Sequence, residues 1–240
     1  MAQSIPGFST QKFDLFSAFG RVLVGAVAII LGFQILIRFT YRFVPSPGLA
    51  RLARSLDRPI RRHFLNAQVL ARRVGIRRGM RVLDVGPGDG SVTLALAREV
   101  GAEGRVEAVA LDGELLQGAR EMLDRNRVEN ASVVGGTGLH LPFADESFDA
   151  ICVVSLIGRV RDVRQALSEL FRVVRPAGRV SFSDVVSDPA YVRQNSVVRW
   201  AESAGLESIE RFGDSVAYTA NFRKPVRLPG AKQNSGRDVQ

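Results

Sequence analysis

Residues 82–97, VLDVGPGDGSVTLALA, constrain the fold of this chain more than any other stretch. An apolar run ends in an acid, three alternate glycines follow, and a helix-like pattern begins at once. This is the order of a strand, a tight turn and a helix. Gly86, Gly88 and Gly90 carry no Cβ, so the backbone can take positive φ there and let a ligand approach the main chain. The first N–H groups of the following helix would point at that ligand. The spacing also excludes something. A dinucleotide fingerprint G-x-G-x-x-G starting at Gly86 needs glycine where the chain has Ser91, whereas G-x-G-x-G is complete.

Beyond this turn, strand-like and helix-like segments alternate up to about residue 223. Strands are expected at 81–85, 105–111, 131–135, 148–154 and 178–184, with helical segments starting at Ser91, Glu114, Val163 and Ser196. Strand, crossover helix and strand repeated in this way predict an α/β fold with a mostly parallel sheet and helices on both faces. Two last apolar runs, 206–212 and 215–222, are separated only by Gly213 and Asp214, which suits a hairpin and an antiparallel final strand.

With 240 residues and 46% hydrophobic content the chain can build one sizeable domain and an extension. A single cysteine, Cys152, excludes an intramolecular disulfide, and with two histidines, His63 and His140, no metal site is expected. The net charge of +9 comes from 30 arginines and only three lysines, with many of the arginines between residues 38 and 81.

Residues 15–37, LFSAFGRVLVGAVAIILGFQILI, hold one charge, Arg21. As a helix they would span roughly 34 Å, about the thickness of a bilayer core, so a transmembrane helix is expected within an N-terminal segment 1–44. Phe39, Tyr41 and Phe43 supply an aromatic fringe. Arg38, Arg42, Arg51 and Arg54 follow the run, which places the larger part on the cytoplasmic side of a single-pass protein. A buried helix of a soluble protein is the other reading of the same run. PSPG at 45–48 ends the helix, and Leu49, Leu52, Leu56 and Ile60 recur among arginines, so 45–75 reads as a basic amphipathic helical linker. Pro59 divides it, with Asp57 as N-cap of a second piece running to about Val74 and packing on the domain edge. The tail 225–240 has no apolar period and reads as disordered.

Residues 139–184, LHLPFADESFDAICVVSLIGRVRDVRQALSELFRVVRPAGRVSFSD, resemble the stretch that follows the Gly-rich turn in class I S-adenosylmethionine-dependent methyltransferases, nearest to the ubiquinone and menaquinone biosynthesis type. LPF at 141–143, SFD at 147–149, ALSELFRVVRP at 166–176 and Gly178-Arg179 stand in the family's order, and together with VLDVGPGDG the resemblance covers about 76–224. It implies a Rossmann-like, doubly wound, seven-stranded sheet that binds S-adenosylmethionine across the carboxyl ends of its strands. The cofactor-binding set it implies is Asp84, Gly86, Pro87, Gly88, Gly90, Asp112, Gly113, Thr137 and Gly138. Asp112 would accept hydrogen bonds from both ribose hydroxyls, work for which a carboxylate with two acceptor oxygens is suited.

Two departures stand out. The family usually carries Gly-Asp where this chain has Gly136-Thr137, and relatives often show His-His where it has Gly158-Arg159, so no catalytic residue is carried over. Methyl transfer from a sulfonium needs alignment and water exclusion more than acid–base help. Ser155, Asp184 and Tyr191 are the expected acceptor-side residues, and His140 and Cys152 are read as structural. The implied acceptor is a small molecule, a lipid or a quinone-like compound beside a membrane. A methyltransferase-fold protein that binds without catalysis is the alternative, and no nucleic-acid partner is expected, because no Asn-Pro-Pro-Tyr-like motif for a flipped base is present.

Overall fold

A computed structural model describes residues 65–110 and 113–226, together with Gly32 and Leu36, which are helical. The chain divides into two units, Met1–Leu56 and Asp57–Gln240, and the fold below belongs to the second. The expected transmembrane helix lies outside the described residues apart from Gly32 and Leu36, as do Asp57, Asp112 and all of the tail but Pro225 and Val226. Among the described residues no helix is long and apolar enough to cross a membrane.

The order of elements is α1 (Ala67–Val74), β1 (Arg81–Val85), α2 (Ser91–Val100), β2 (Arg105–Ala110), α3 (Gly113–Arg125), β3 (Ala131–Gly135), β4 (Phe148–Val154), a 3-10 turn (Ile157–Arg159), α4 (Val163–Val173), β5 (Val174–Val185), α5 (Gln194–Ser203), β6 (Glu207–Gly213) and β7 (Ala217–Arg223). The strands form one seven-stranded sheet in the order β3-β2-β1-β4-β5-β7-β6. β7 runs antiparallel to both its neighbours, β5 and β6, and the other pairings are parallel.

Strands of a parallel sheet are covered on both faces, which is why β1, β2 and β4 read as continuous apolar runs rather than alternating ones. Alternate residues then serve opposite layers. Leu83, Val85, Ile151, Val153, Val180 and Phe182 pack with Leu167 and Leu170 of α4 and Val197 and Ala201 of α5. On the other face Val82, Val106, Ala150 and Cys152 meet Ala71 and Val74 of α1 and Leu96, Ala97 and Val100 of α2.

Two boundaries differ from the sequence reading. The helix ending at Val74 begins at Ala67, because Asn66 caps it by accepting from the N–H groups of Gln68 and Val69. β5 begins at Val174, directly after α4, since Val174 pairs with Phe148 before a register shift carries the pairing on to Ala150 and Arg179. Inside that irregular stretch Ala177 sits at φ +61, exposed to solvent. A Cβ in the left-handed region costs about 1–2 kcal/mol. Ala177→Gly is therefore expected to raise stability by about 1 kcal/mol, measured as a shift in the urea midpoint at unchanged slope.

Candidate functional site

The crossovers through α2 and α3 carry the chain outward from β1 to β3, after which it returns to lay β4 on the other side of β1. The point of reversal, between the carboxyl ends of β1 and β4, is where open α/β sheets leave a crevice. The glycine turn follows β1 there, and the turn at Ser155 follows β4.

The three glycines do different work. Gly86 at φ +80 donates its N–H to the Val109 carbonyl of β2 (2.9 Å), and a Cβ on it would come within 3.0 Å of the Leu156 side chain. Gly88 at φ +58 faces open space, with nothing within 4 Å of where a Cβ would stand. Gly90 at φ +81 is buried against α3, where a Cβ would come within 3.0 Å of Ala119 Cα and 3.1 Å of Met122 Cβ, so it serves helix packing rather than an open face of the turn. Pro87 accepts the Gly90 N–H through its carbonyl, and Asp89 Oδ1 accepts from Ser91 N at the start of α2.

Asp84 lies beneath this turn, fully buried. Its Oδ2 accepts from the Thr93 hydroxyl of α2 at 2.7 Å, while Oδ1 has no hydrogen-bond partner among the described residues. Burial pushes its carboxyl up to about 6, against which the Thr93 hydrogen bond works. Its register neighbour on β4 is Cys152, whose thiol is raised well above the ordinary range by burial and then by the Asp84 charge.

At the ends of β2 and β3, Gly113 opens α3 with free space around it. Gly136 is held tightly, since a Cβ there would reach Val109 Cγ1 at 2.9 Å. Thr137 is exposed, and its hydroxyl accepts the His140 N–H at 3.2 Å, closing the small bridge between the two residues. Gly138 sits at the edge of van der Waals contact with Val160.

The expected acceptor-side residues fall in the turn after β4, at the end of β5 and in the turn that follows it. Ser155 takes φ +49, gives its N–H to the Ser183 carbonyl, and keeps a buried hydroxyl with no partner at hydrogen-bond geometry. Asp184 accepts from Val185 N (2.9 Å) and Val192 N (3.1 Å), and burial, together with the charge of Asp188, pushes its carboxyl up to about 7. Tyr191 donates to the Ser215 carbonyl (2.9 Å) and meets the Tyr218 ring edge-on, which ties it to the β6–β7 hairpin. The Ser155 hydroxyl lies close enough to Asp184 to favour its charged form, against the larger effect of burial.

Thr93, Leu156, Arg159 and Asp188 also belong to this region and were not singled out as site residues from sequence. Thr93 left a faint signal, a polar residue on the inward face of an otherwise apolar helix. Arg159 and Asp188 lie in different turns, and their pairing has no sequence signature. Among the described residues no group of His, Cys, Asp or Glu could hold a metal ion. A cleft of about 630 Å³ at the opposite, amino end of the strands, bordered by Arg98, Gly101, Arg105 and Asn130, contains none of these residues.

The strand order and the turn at the switch point define the class I S-adenosylmethionine-dependent methyltransferase fold. A methyltransferase from Aquifex aeolicus superposes with a TM-score of 0.67 at 22% identity, covering 73% of this chain and 98% of that one. The cyclase SpnF does so at 0.61 and 16%, over 67% and 80%. The chain belongs to the ubiE/COQ5 methyltransferase family, whose sequence profile matches residues 59–198. The ubiquinone/menaquinone biosynthesis C-methyltransferase UbiE of Idiomarina loihiensis is 39% identical over 117 residues, 47% of each chain. The chain thus spans about half the length of the curated relatives it matches.

Proposed function

We propose that this chain is an S-adenosylmethionine-dependent methyltransferase that acts on a small, quinone-like acceptor. The observation that carries the reading is the crevice between β1 and β4, where a glycine turn with room at Gly88 stands over a buried carboxylate with an unsatisfied oxygen. These residues fit the cofactor. Asp84, Gly86, Pro87 and Gly88 would hold one end of it, with Gly90 shaping the turn from behind. Asp112, Gly113, Thr137 and Gly138 would hold the nucleoside end, with the Thr137 hydroxyl using its remaining hydrogen-bonding capacity. When bound, S-adenosylmethionine supplies an electrophilic methyl group on a good leaving group. The protein's part is to align the acceptor and exclude water, which asks for no dedicated base. The name of the relatives, C-methyltransferase of ubiquinone and menaquinone biosynthesis, supports an electron-rich aromatic ring as acceptor.

We further propose that residues 15–37 anchor the protein in a membrane with the α/β domain on the cytoplasmic side, where an acceptor with a long apolar tail would reside. The support is the length and apolarity of the run and the arginines that follow it. In cell fractionation the full chain should need detergent for release, and release by high salt alone would overturn the anchor.

Calorimetry with S-adenosylhomocysteine tests the cofactor. Stoichiometric binding is expected, and none at millimolar ligand would overturn the reading. Transfer of a labelled methyl group into a lipid extract tests the reaction. Cofactor binding with no transfer to any fraction would favour the non-catalytic alternative.

The glycines supply a separate test. Gly88→Ala places a methyl group in the open face of the turn, so it should lose most cofactor affinity at a stability cost of about 1–2 kcal/mol. Gly90→Ala adds the same backbone strain to a collision with α3, so its stability loss should reach about 3 kcal/mol. Urea unfolding and calorimetry on the same preparations separate the two effects.

A further inference from the structure

The turn after β5, residues 186–193, holds eight residues, too few for a lid, yet it is fastened with unusual density. Arg159 Nη2 donates to both oxygens of Asp188, at 2.7 and 2.8 Å, and Nε donates to the Ser155 carbonyl at 3.2 Å. Asp188 is 1% exposed and also accepts the Ala190 N–H at 2.8 Å. Beside Arg159, a Cβ on Gly158 would overlap the Ala190 carbonyl, so the two turns touch backbone to backbone. On its other side the same β4 turn presses Leu156 against Gly86. Residues 155–159 are therefore sandwiched between the cofactor turn, which Leu156 meets, and the β5 turn, to which Arg159 fastens them.

We propose that Arg159 is a positioning residue: by clamping Asp188 it fixes the β5 turn as a rigid roof over the acceptor side of the crevice, at a set distance from the glycine turn. The proposal rests on the methyltransferase reading. A guanidinium suits the task because its planar fork reaches a buried carboxylate and a carbonyl at once, which a lysine ammonium does with less directional control. Gly158 and Arg159 are thus both committed to a loop-to-loop contact. Acceptor alignment then depends on the clamp rather than on a closing lid, and a displacement of about an ångström is enough to slow transfer severely.

The test compares the full chain with Arg159→Met, Arg159→Lys and the double variant Arg159→Met/Asp188→Asn. Three readings are taken: Tm, the Kd for S-adenosylhomocysteine, and KM and kcat with a short-chain prenylated naphthohydroquinone that has a free ring position. Arg159→Met is expected to raise acceptor KM about tenfold or more while cofactor Kd moves less than about threefold, and Arg159→Lys to recover part of the loss. The double variant removes the stranded buried charge, so its Tm should return toward that of the parent while acceptor KM stays high. If acceptor KM returns together with Tm, or if Kd moves as far as KM, Arg159 is only structural and the proposal is overturned. Absence of cofactor binding by the parent chain would instead overturn the methyltransferase reading itself.

Discussion

Replacing Asp84 with asparagine is expected to make the protein more stable at pH 8 and a much poorer host for its cofactor. The folded state holds this carboxyl at about 6, above its ordinary 3.8, because burial disfavours the charged form. The folded state therefore binds more protons than the unfolded one between about pH 4 and 6, and stability falls as pH rises through that window. Above it the penalty is complete, on the order of 3 kcal/mol. Asparagine carries no charge and avoids it. The gain over the parent should thus build up as pH rises from about 4 to 6 and be complete above that, with a Tm difference of about 5–10 °C at pH 8. Affinity for S-adenosylhomocysteine should fall roughly 10- to 100-fold, because an ionised acceptor facing the turn is replaced by a neutral amide. Equal stability at pH 8, or unchanged affinity, would show that Asp84 is neither strained by burial nor turned toward the ligand.

Arg172→Ala is expected to cost about 3–5 kcal/mol in urea unfolding and to loosen residues 141–146. Arg172 of α4 donates from Nε and Nη2 to the two oxygens of Glu169 (2.8 Å each), from Nη1 to the Phe143 carbonyl (2.7 Å), and from Nη2 to the Leu141 carbonyl (3.1 Å). Glu169 in turn accepts the Leu141 N–H at 2.9 Å. Truncation leaves a largely buried carboxylate without its cation and the Phe143 carbonyl without its donor, while the Leu141 carbonyl keeps only the Phe143 N–H. Arg172→Lys should rescue little, because one ammonium does not reproduce the fork. Amide exchange in residues 141–146 should accelerate in both variants.

The same network explains why the second sequence block was so readable. LPF and ELFR lie some 25 residues apart, yet they are two halves of one arrangement, a loop whose backbone is satisfied by a helix side-chain pair. Such a requirement fixes both halves together, and so the combination says more than either part. The strands were equally legible, because burial on both faces writes them as apolar runs. Less legible were features set by partners far along the chain. Gly90 looks like the other glycines of its turn, and only the position of α3 shows that it is committed to packing. Asp184 stands at the end of β5 and Tyr191 in the turn after it, as acceptor residues would, but their polar atoms bond backbone groups of the fold. The early start of β5 follows from pairing with Phe148, which helix propensity around residues 166–173 cannot foresee.

Cys152 turns the middle of the sheet into a clock. It is the chain's one cysteine, 3% exposed on β4, opposite Asp84, with a thiol held protonated by burial. The thiolate is the form that reacts with alkylating reagents, so the closed sheet is silent toward them. Labelling in native buffer then proceeds only as fast as α1 and α2 lift from the face of the sheet that Cys152 lines. A mass shift on one residue times the undocking of the helix layer behind the crevice, with no substitution and no probe other than the one the chain already carries.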